Sequence, residues 1–170
     1  IKDGSTYKMW YSGSDGTNWR MYYATSSDGL TWTKYNNAVE AASNTTGTQG
    51  RIPLGSSGSG DDDQVGYPTV IKDGSTYKMW YSGSDGTNWR MYYATSSDGL
   101  TRTKYDNTAE AASNTTGTQG RIPLGSSGGD TASVFISTVI KDGSTYKMWY
   151  SGSDATNYRI YYATSSDGLT

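Results

Sequence analysis

The densest cluster of acidic side chains in this 170-residue sequence is a run of three consecutive aspartates, Asp61, Asp62 and Asp63. Hard cations such as calcium take carboxylate oxygens as ligands, so this run is a candidate calcium site. The corresponding place later in the chain keeps only Asp130, which is followed by Thr131 rather than by further acidic residues. A solvated loop is therefore the stronger interpretation, and we expect a protein without a cofactor.

Aromatic side chains beside tight turns form a second set that could bind a ligand. Trp19, Trp89 and Tyr158 occupy the same place in three copies of a repeated stretch, directly after a turn. Sugar rings stack on exposed aromatic faces, because such side chains combine a large apolar surface with polar neighbours. The pattern predicts carbohydrate binding, with Asp61 and Asp130 as acceptors for sugar hydroxyls. Packing inside the fold is the alternative.

The composition excludes several kinds of chemistry. The chain contains no His and no Cys, which removes Ser-His-Asp and Cys-His catalysis, histidine-ligated zinc and disulfides. Its 14 Lys and Arg are scattered and its net charge is −2, so no basic stripe is available for nucleic acid. No apolar run approaches the roughly 18 residues that would suggest a membrane span.

The elements that must position these residues are copies of one unit. Residues 1–54 return at 71–124 with four changes, and the first 31 residues return at 140–170 with three. Self-similarity at a fixed period indicates one supersecondary unit that stacks on its own copies. A period of 70 residues divides the 170 residues into about 2.4 copies. We expect one incomplete domain with repeats at 1–60, 61–129 and 130–170.

Within one copy, TYKMWYSG (6–13) and NWRMYYATS (18–26) are joined by a short Asp-Gly segment, which predicts a hairpin. Both faces of this hairpin carry large apolar side chains, so we expect a sheet that is covered on both sides. Two weaker strands are predicted at 30–36 and 65–73, and Pro68 limits the pairing of the latter. Four strands per copy indicate an all-β β-propeller; a β-solenoid or separate hairpin modules are the alternatives.

Three repeated positions carry structural expectations. Ala155 replaces Gly16 in the hairpin turn, so no positive φ is expected there. The tryptophans in the middle of the first hairpin strand are expected to pack between blades: Trp10, Trp80 and Trp149. The aspartates of the KDGS and SSDG turns are expected to bond their own backbone: Asp3, Asp73 and Asp142, and Asp28, Asp98 and Asp167.

The stretches YKMWYSG, YYATSSDGLTW and DDDQVGYPTVIKDG resemble the repetitive five-bladed propellers related to glycoside hydrolase families 43, 32 and 68. SSDGLTW (26–32) is also similar to the sialidase Asp-box, with one residue fewer between Asp28 and Trp32. The resemblance implies a propeller that handles carbohydrate, and it favours an extracellular or secreted protein.

In the families that the chain resembles, an aspartate leading into the innermost strand of a blade acts as nucleophile or base, and a glutamate of another blade acts as general acid. The resemblance makes Asp61 and Asp130 candidates for the first role, and Glu40 and Glu110, the two glutamates of the chain, candidates for the second. The family's His-Asp-Pro form is absent, because Gly66 and Tyr67 precede Pro68 here. Glycoside hydrolysis also needs two carboxyl groups in different settings, whereas near-identical blades supply near-identical ones.

These observations favour a non-catalytic propeller that binds carbohydrate or acts as an adhesin. A glycoside hydrolase-like enzyme fragment is the first alternative, and a purely structural repeat fragment that self-assembles is the second. Propellers need roughly four to eight blades to close, so a chain with about 2.4 repeats is expected to associate head to tail with itself. Two chains give about 4.9 repeats by length but six inner hairpins, so five and six blades both remain possible.

Overall fold

A computed structural model of the chain describes residues 1–14, 16–35, 52, 54–55, 60–105 and 122–169, and all regular elements among these residues are β-strands. No helix in this part of the chain is long and apolar enough to cross a membrane. In chain order the strands are β1 (Lys2–Asp3), β2 (Thr6–Ser14), β3 (Trp19–Ser26), β4 (Thr33–Lys34), β5 (Gln64–Asp73), β6 (Thr76–Ser84), β7 (Trp89–Ser96), β8 (Thr103–Lys104), β9 (Ser133–Asp142), β10 (Thr145–Ser153) and β11 (Tyr158–Ser165).

The strands form three antiparallel sheets, one from each copy of the repeat. The first sheet has the order β1-β2-β3-β4, the second β5-β6-β7-β8 and the third β9-β10-β11. Within each sheet, consecutive strands of the chain pair with one another, because short turns join them. This is the arrangement of propeller blades, so the predicted all-β propeller architecture is confirmed, with two four-stranded sheets and one three-stranded sheet.

The central hairpin of each sheet is the predicted one, but its turn corrects one expectation. Ala155 adopts a φ of +72°, close to the +87° of Gly86 at the equivalent place in the second sheet. Local side chains hold the turn in this conformation: Asp154 Oδ1 accepts the N–H groups of Thr156 and Asn157 at 2.9 and 2.7 Å. The turn therefore imposes a positive φ even on a residue with a Cβ.

The two weaker strands differ in how far they agree with the sequence. Of the predicted strand at 30–36, residues 30–35 form only the two-residue strand β4, and residue 36 lies outside the described residues. The preceding Ser-Asp-Gly turn uses the N–H groups of Leu30 and Thr31, which both donate to Asp28 Oδ1 at 2.8 Å. The inner strand β5 agrees with the prediction, and its ladder is interrupted between Gly66 and Thr69, where Pro68 lacks an N–H.

The middle sheet is covered on both faces, as the apolar residues on both sides of its strands predicted. One core cluster packs Trp10, Met21 and Tyr23 of the first sheet against Tyr77, Met79 and Tyr81 of the second, with Ile52 buried in the same cluster. The other cluster packs Trp80, Met91 and Tyr93 of the second sheet against Val139, Tyr146 and Met148 of the third. The core thus consists of two layers between three stacked sheets.

Candidate functional site

A bulge in the inner strand of the second sheet creates the most distinctive site in the described residues. Tyr67 has a φ of +52°, which is uncommon for a bulky side chain. Its N–H donates to Ser12 Oγ of the first sheet at 2.5 Å. Strained backbone of this kind persists only where surrounding contacts hold it, and it is concentrated at functional sites.

The bulge places the Tyr67 ring between two of the predicted sugar-stacking side chains. Its centroid lies 5.7 Å from that of Trp19 and 5.9 Å from that of Trp89. Trp19 begins β3 and Trp89 begins β7, so neighbouring sheets supply the two tryptophans and β5 supplies the ring between them. We call Trp19, Tyr67 and Trp89 the aromatic cluster; Trp19 remains more than one-third exposed.

The third sheet repeats the bulge but changes its side chains. Ile136, equivalent to Tyr67, has a φ of +47° and donates its N–H to Ser82 Oγ at 2.9 Å. Tyr158 packs edge to face on Phe135, with 5.8 Å between the ring centroids, and it is largely exposed. The structure therefore joins Trp19 and Trp89 through Tyr67, while Tyr158 belongs to a separate aromatic pair.

Sequence reasoning missed Tyr67 and Ile136. A signal was present, because Pro68 and the replacement of Gly66 by Phe135 mark an irregular stretch of an inner strand. Which side chain such a bulge turns outward depends on a serine of the preceding sheet, and that contact is not visible in local sequence.

Asp61 and Asp130 are both buried, each against a glycine of its own sheet. A Cβ added at Gly83 would lie 2.4 Å from the Asp61 Cβ, and one added at Gly152 would lie 2.4 Å from the Asp130 Cβ. The glycine of the repeated SGS motif therefore makes room for the aspartate. The two side chains occupy equivalent places in different sheets, as the alignment of the repeats predicted.

Each carboxylate accepts a hydrogen bond from a tyrosine at the equivalent place of its sheet, and Asp61 also contacts a lysine. Tyr81 donates its hydroxyl to Asp61 Oδ2 at 2.9 Å, and Tyr150 donates to Asp130 Oδ2 at 3.1 Å. Burial, together with the neighbouring Asp130, raises the pKa of Tyr150 to about 12. Lys104 Nζ lies 2.6 Å from Asp61 Oδ2, whereas no described lysine or arginine forms an ion pair with Asp130.

The remaining candidates do not form a metal site in the described part of the chain. Asp61, Asp62 and Asp63 belong to no group of three acidic side chains that could hold a metal ion there. Asp63 Oδ2 instead accepts a bond from Gln64 Nε2 at 3.1 Å. Glu40 and Glu110, the proposed general acids, lie outside the described residues.

Two groups of turn aspartates have different roles. In the SSDG turns the expected role is confirmed: Asp98 Oδ1 accepts the N–H groups of Leu100 and Thr101 at 2.7 and 2.8 Å. For the KDGS turns the expectation is wrong, because Asp3 Oδ1 instead pairs with Lys72 Nζ of the next sheet at 2.5 Å. Gly4 completes that turn with a φ of +61°, which leaves the carboxylate free to reach the neighbouring sheet.

No protein-family model matches the chain. Two uncharacterized proteins of Mycobacterium tuberculosis are each 33% identical to it over 117 residues, which are 65% of this chain and 34% of each relative. The match therefore spans about a third of the length of these curated relatives.

Several solved structures with a similar fold are glycoside hydrolases. The chain is similar to Zg3597, a family 117 glycoside hydrolase of Zobellia galactanivorans, with a TM-score of 0.72 and 15% identity over 99% of this chain and 52% of the other. It is similar to the Bombyx mori GH32 beta-fructofuranosidase (TM-score 0.62, 16% identity, 98% and 32% coverage). A Fusarium graminearum alpha-L-arabinofuranosidase is similar as well (TM-score 0.59, 16% identity, 96% and 42% coverage). The chain thus has a propeller fold of the kind that glycoside hydrolases use.

Proposed function

We propose that this chain is part of a propeller that binds neutral oligosaccharides without cleaving them, through the aromatic cluster. The observation that carries the proposal is the position of the Tyr67 ring between Trp19 and Trp89, held by a strained bulge. Rigid aromatic surfaces with polar neighbours suit the stacking of sugar rings. The proposal includes an extracellular location, a closed ring of five or six blades and Asp-box-like SSDG turns.

Isothermal titration calorimetry of the 170-residue chain tests this proposal. The ligands are fructo-oligosaccharides, arabino-oligosaccharides and β-1,2-mannobiose, because proteins of similar fold are named for these sugars. We expect one of these classes to bind, and Trp19→Ala to weaken that binding at least about tenfold, since stacking aromatics dominate such contacts. Tyr105→Ala, which removes a similarly exposed aromatic from the second sheet, is the control and should bind normally. Absence of binding to all three sugars would contradict the proposal.

Glycoside hydrolysis is the second candidate function, and one observation favours it beyond the fold. Asp61 and Asp130 are both buried just before an inner strand, and each carboxylate accepts a tyrosine hydroxyl beside a glycine that makes room for it. Glycoside hydrolysis uses carboxyl groups whose protonation the surrounding protein adjusts, and burial is one means of that adjustment.

Release of nitrophenol from aryl α-L-arabinofuranosides and β-fructofuranosides tests this second candidate. If the chain is a hydrolase, Asp61→Asn or Glu40→Gln should reduce the rate by at least about 100-fold, as should the equivalent changes at Asp130 or Glu110. Asp62→Asn is the matched control. A chain without measurable hydrolysis, or with hydrolysis that survives all four changes, would exclude the enzyme.

A further inference from the structure

The interface between the first and second sheets is built from the same contacts as the interface between the second and third. We call each of these interfaces between neighbouring sheets a joint. Trp10 Nε1 donates to the Gly99 carbonyl at 2.9 Å, and Trp80 Nε1 donates to the Gly168 carbonyl at 3.1 Å. Lys8 Nζ lies 2.6 Å from the Tyr77 hydroxyl, and the corresponding distance for Lys78 and Tyr146 is also 2.6 Å. Both joints therefore use one pattern, in which a Trp and a Lys of one sheet contact a Gly carbonyl and a Tyr hydroxyl of the next sheet.

A carboxylate completes each joint. Asp3 pairs with Lys72 of the next sheet at 2.5 Å and accepts the Tyr77 hydroxyl. Asp73 repeats both contacts with Lys141, also at 2.5 Å, and with Tyr146. The joint thus combines a buried tryptophan with an ion pair. The residues of both contacting faces belong to the repeated sequence.

The third sheet has the same Trp and Lys on its outer face, and no other sheet of the described residues packs against that face. Trp149 is 40% exposed, whereas Trp10 and Trp80 are 9% and 2% exposed. Lys147 stays within its own sheet and pairs with Asp142 at 2.6 Å. We define the donor face by these residues and their exposed neighbours on β11: Asp142, Lys147, Trp149, Ile160 and Tyr162.

The first sheet carries the complementary half. Lys2 Nζ lies 5.2 Å from the Tyr7 ring centroid, the same distance that separates Lys72 from Tyr77 inside the first joint. Leu30 is 86% exposed, although the equivalent Leu100 packs against the core. We define the receiving face as Lys2, Tyr7, Gly29, Leu30 and Trp32.

The receiving face borders an open groove of about 470 Å³. The groove is lined by Tyr7 and Trp32, and also by Trp10 of the opposite face of β2 and by Pro68, Thr69 and Val70 of β5, so it does not belong to the receiving face alone. Trp32 is equivalent to Arg102, whose guanidinium carbon lies 5.0 Å from the Trp10 ring centroid in the first joint. An incoming tryptophan would therefore meet the Trp32 ring where the internal joint has a guanidinium.

We propose that the donor face of one chain docks on the receiving face of a second copy and forms a third joint of the same design. In that interface Trp149 Nε1 donates to the Gly29 carbonyl of the second copy, Lys147 contacts its Tyr7 hydroxyl, and Asp142 pairs with its Lys2. The occupant is a second copy because the two open faces have the charges and the sequences of faces that already pack together twice. This inference does not depend on the proposed carbohydrate site.

The interface is heterologous, since different surfaces of the two copies meet, so it closes into a ring or continues as a chain of copies. The described residues of each copy form three sheets, and a ring closed by two such copies of the 170-residue chain would contain six. That number lies within the range of four to eight blades in which propellers close.

Sedimentation velocity of the 170-residue chain at about 1 to 100 µM tests the proposal. We expect association that strengthens with concentration, and Trp149→Ser should weaken it at least about tenfold, because a central tryptophan dominates such interfaces. Tyr105→Ser is the matched control: Tyr105 is 37% exposed, lies in the middle sheet, and should leave association unchanged. A wild-type chain that stays monomeric at 100 µM, or an equal effect of both variants, overturns the proposal.

A charge exchange identifies the faces involved. Lys2→Asp and Asp142→Lys should each weaken association, because each places like charges across the interface. The double variant Lys2→Asp/Asp142→Lys restores the opposite pair and should recover association to within about threefold of the wild type. Association that survives the single changes, or stays lost in the double variant while circular dichroism shows a folded chain, overturns the assignment of these faces.

Discussion

At the scale of single residues, the hairpin turns of the second and third sheets differ by one methyl group, the Cβ of Ala155. Gly86 and Ala155 both have positive φ, at +87° and +72°, but only Ala155 carries a Cβ that this region of backbone space disfavours. Ser153 and Asp154 accept hydrogen bonds from the N–H groups of the turn. These bonds keep the turn of the third sheet in the same conformation despite the steric strain at the Ala155 Cβ.

Replacement of Ala155 by Gly should therefore stabilise the chain. We expect about 0.5 to 1 kcal/mol, because relief of the Cβ strain outweighs the greater freedom of glycine in the unfolded chain. Gly86→Ala is the matched control and should destabilise by a similar amount. Urea unfolding of both variants measures the two changes, and a destabilised Ala155→Gly variant would contradict the expectation.

The repeated SGS motif offers a second test at single residues. A Cβ at Gly83 would approach the Asp61 Cβ to 2.4 Å, whereas one at Gly13 would meet only the Tyr22 ring, at 2.7 Å. Gly83→Ala should cost about 1 to 3 kcal/mol of unfolding free energy, because it forces a buried ion-paired aspartate to move. Gly13→Ala has the same local sequence and should cost clearly less, since the partly exposed Tyr22 ring can rotate away.

At the scale of elements, the joints between sheets depend on charge. Hydrogen bonds from Lys141 and Tyr146 hold the pKa of Asp73 well below its ordinary value, and Lys72 and Tyr77 do the same for Asp3. A carboxylate whose pKa is lower in the folded chain stabilises the fold fully above the unfolded value, near 4. This stabilisation is lost as the pH falls below that value.

Asp73→Asn should lower the melting temperature at pH 7 and leave a smaller difference from wild type at pH 2 to 3, where the aspartate of the unfolded chain is protonated and the low pKa of the folded one stabilises the fold less. Asp142→Asn, in dilute solution, is the matched control: it lies in the same KDGS sequence, but its face is open and its effect should be smaller. Scanning calorimetry between pH 2 and 7 measures both variants. A constant difference across this range would show that the joint does not depend on the carboxylate charge.

The hairpins and the inner strands follow from local sequence, because alternation, aromatic content and Asp-Gly turns are local properties. Burial does not, as the three copies of TYKMWYSGS show: Trp80 is buried and Trp149 is exposed within identical strands. In the candidate site, Trp19 and Trp89 could be predicted from their place beside the turn. Tyr67 could not, because a serine of the preceding sheet holds the bulge, and neither could the pairing of Asp3 across the joint.

At the scale of the whole molecule, the buried titratable groups of the described residues are tyrosines, Asp61, Asp130, Arg20 and Arg90, and the chain contains no histidine. Burial in the layer between the second and third sheets raises the pKa of Tyr93 to about 12, and Tyr150 in the same layer has a pKa of about 12 as well. The pH dependence of stability should therefore lie at the two ends of the scale, with acid loss from the joint aspartates and alkaline loss from these tyrosines.

The alkaline loss follows from the direction of the tyrosine shifts. A tyrosine with a raised pKa in the folded chain contributes stability that is complete below the unfolded value, near 10, and is lost as the pH rises through 12. We expect a melting temperature that is nearly constant from pH 6 to 9 and falls steeply between pH 10 and 12. Tyr93→Phe should flatten this fall by on the order of 1 to 2 kcal/mol at pH 12, whereas Tyr105→Phe, at an exposed position, should not. An unchanged alkaline fall in Tyr93→Phe would mean that the layer between these sheets opens before its tyrosines ionise.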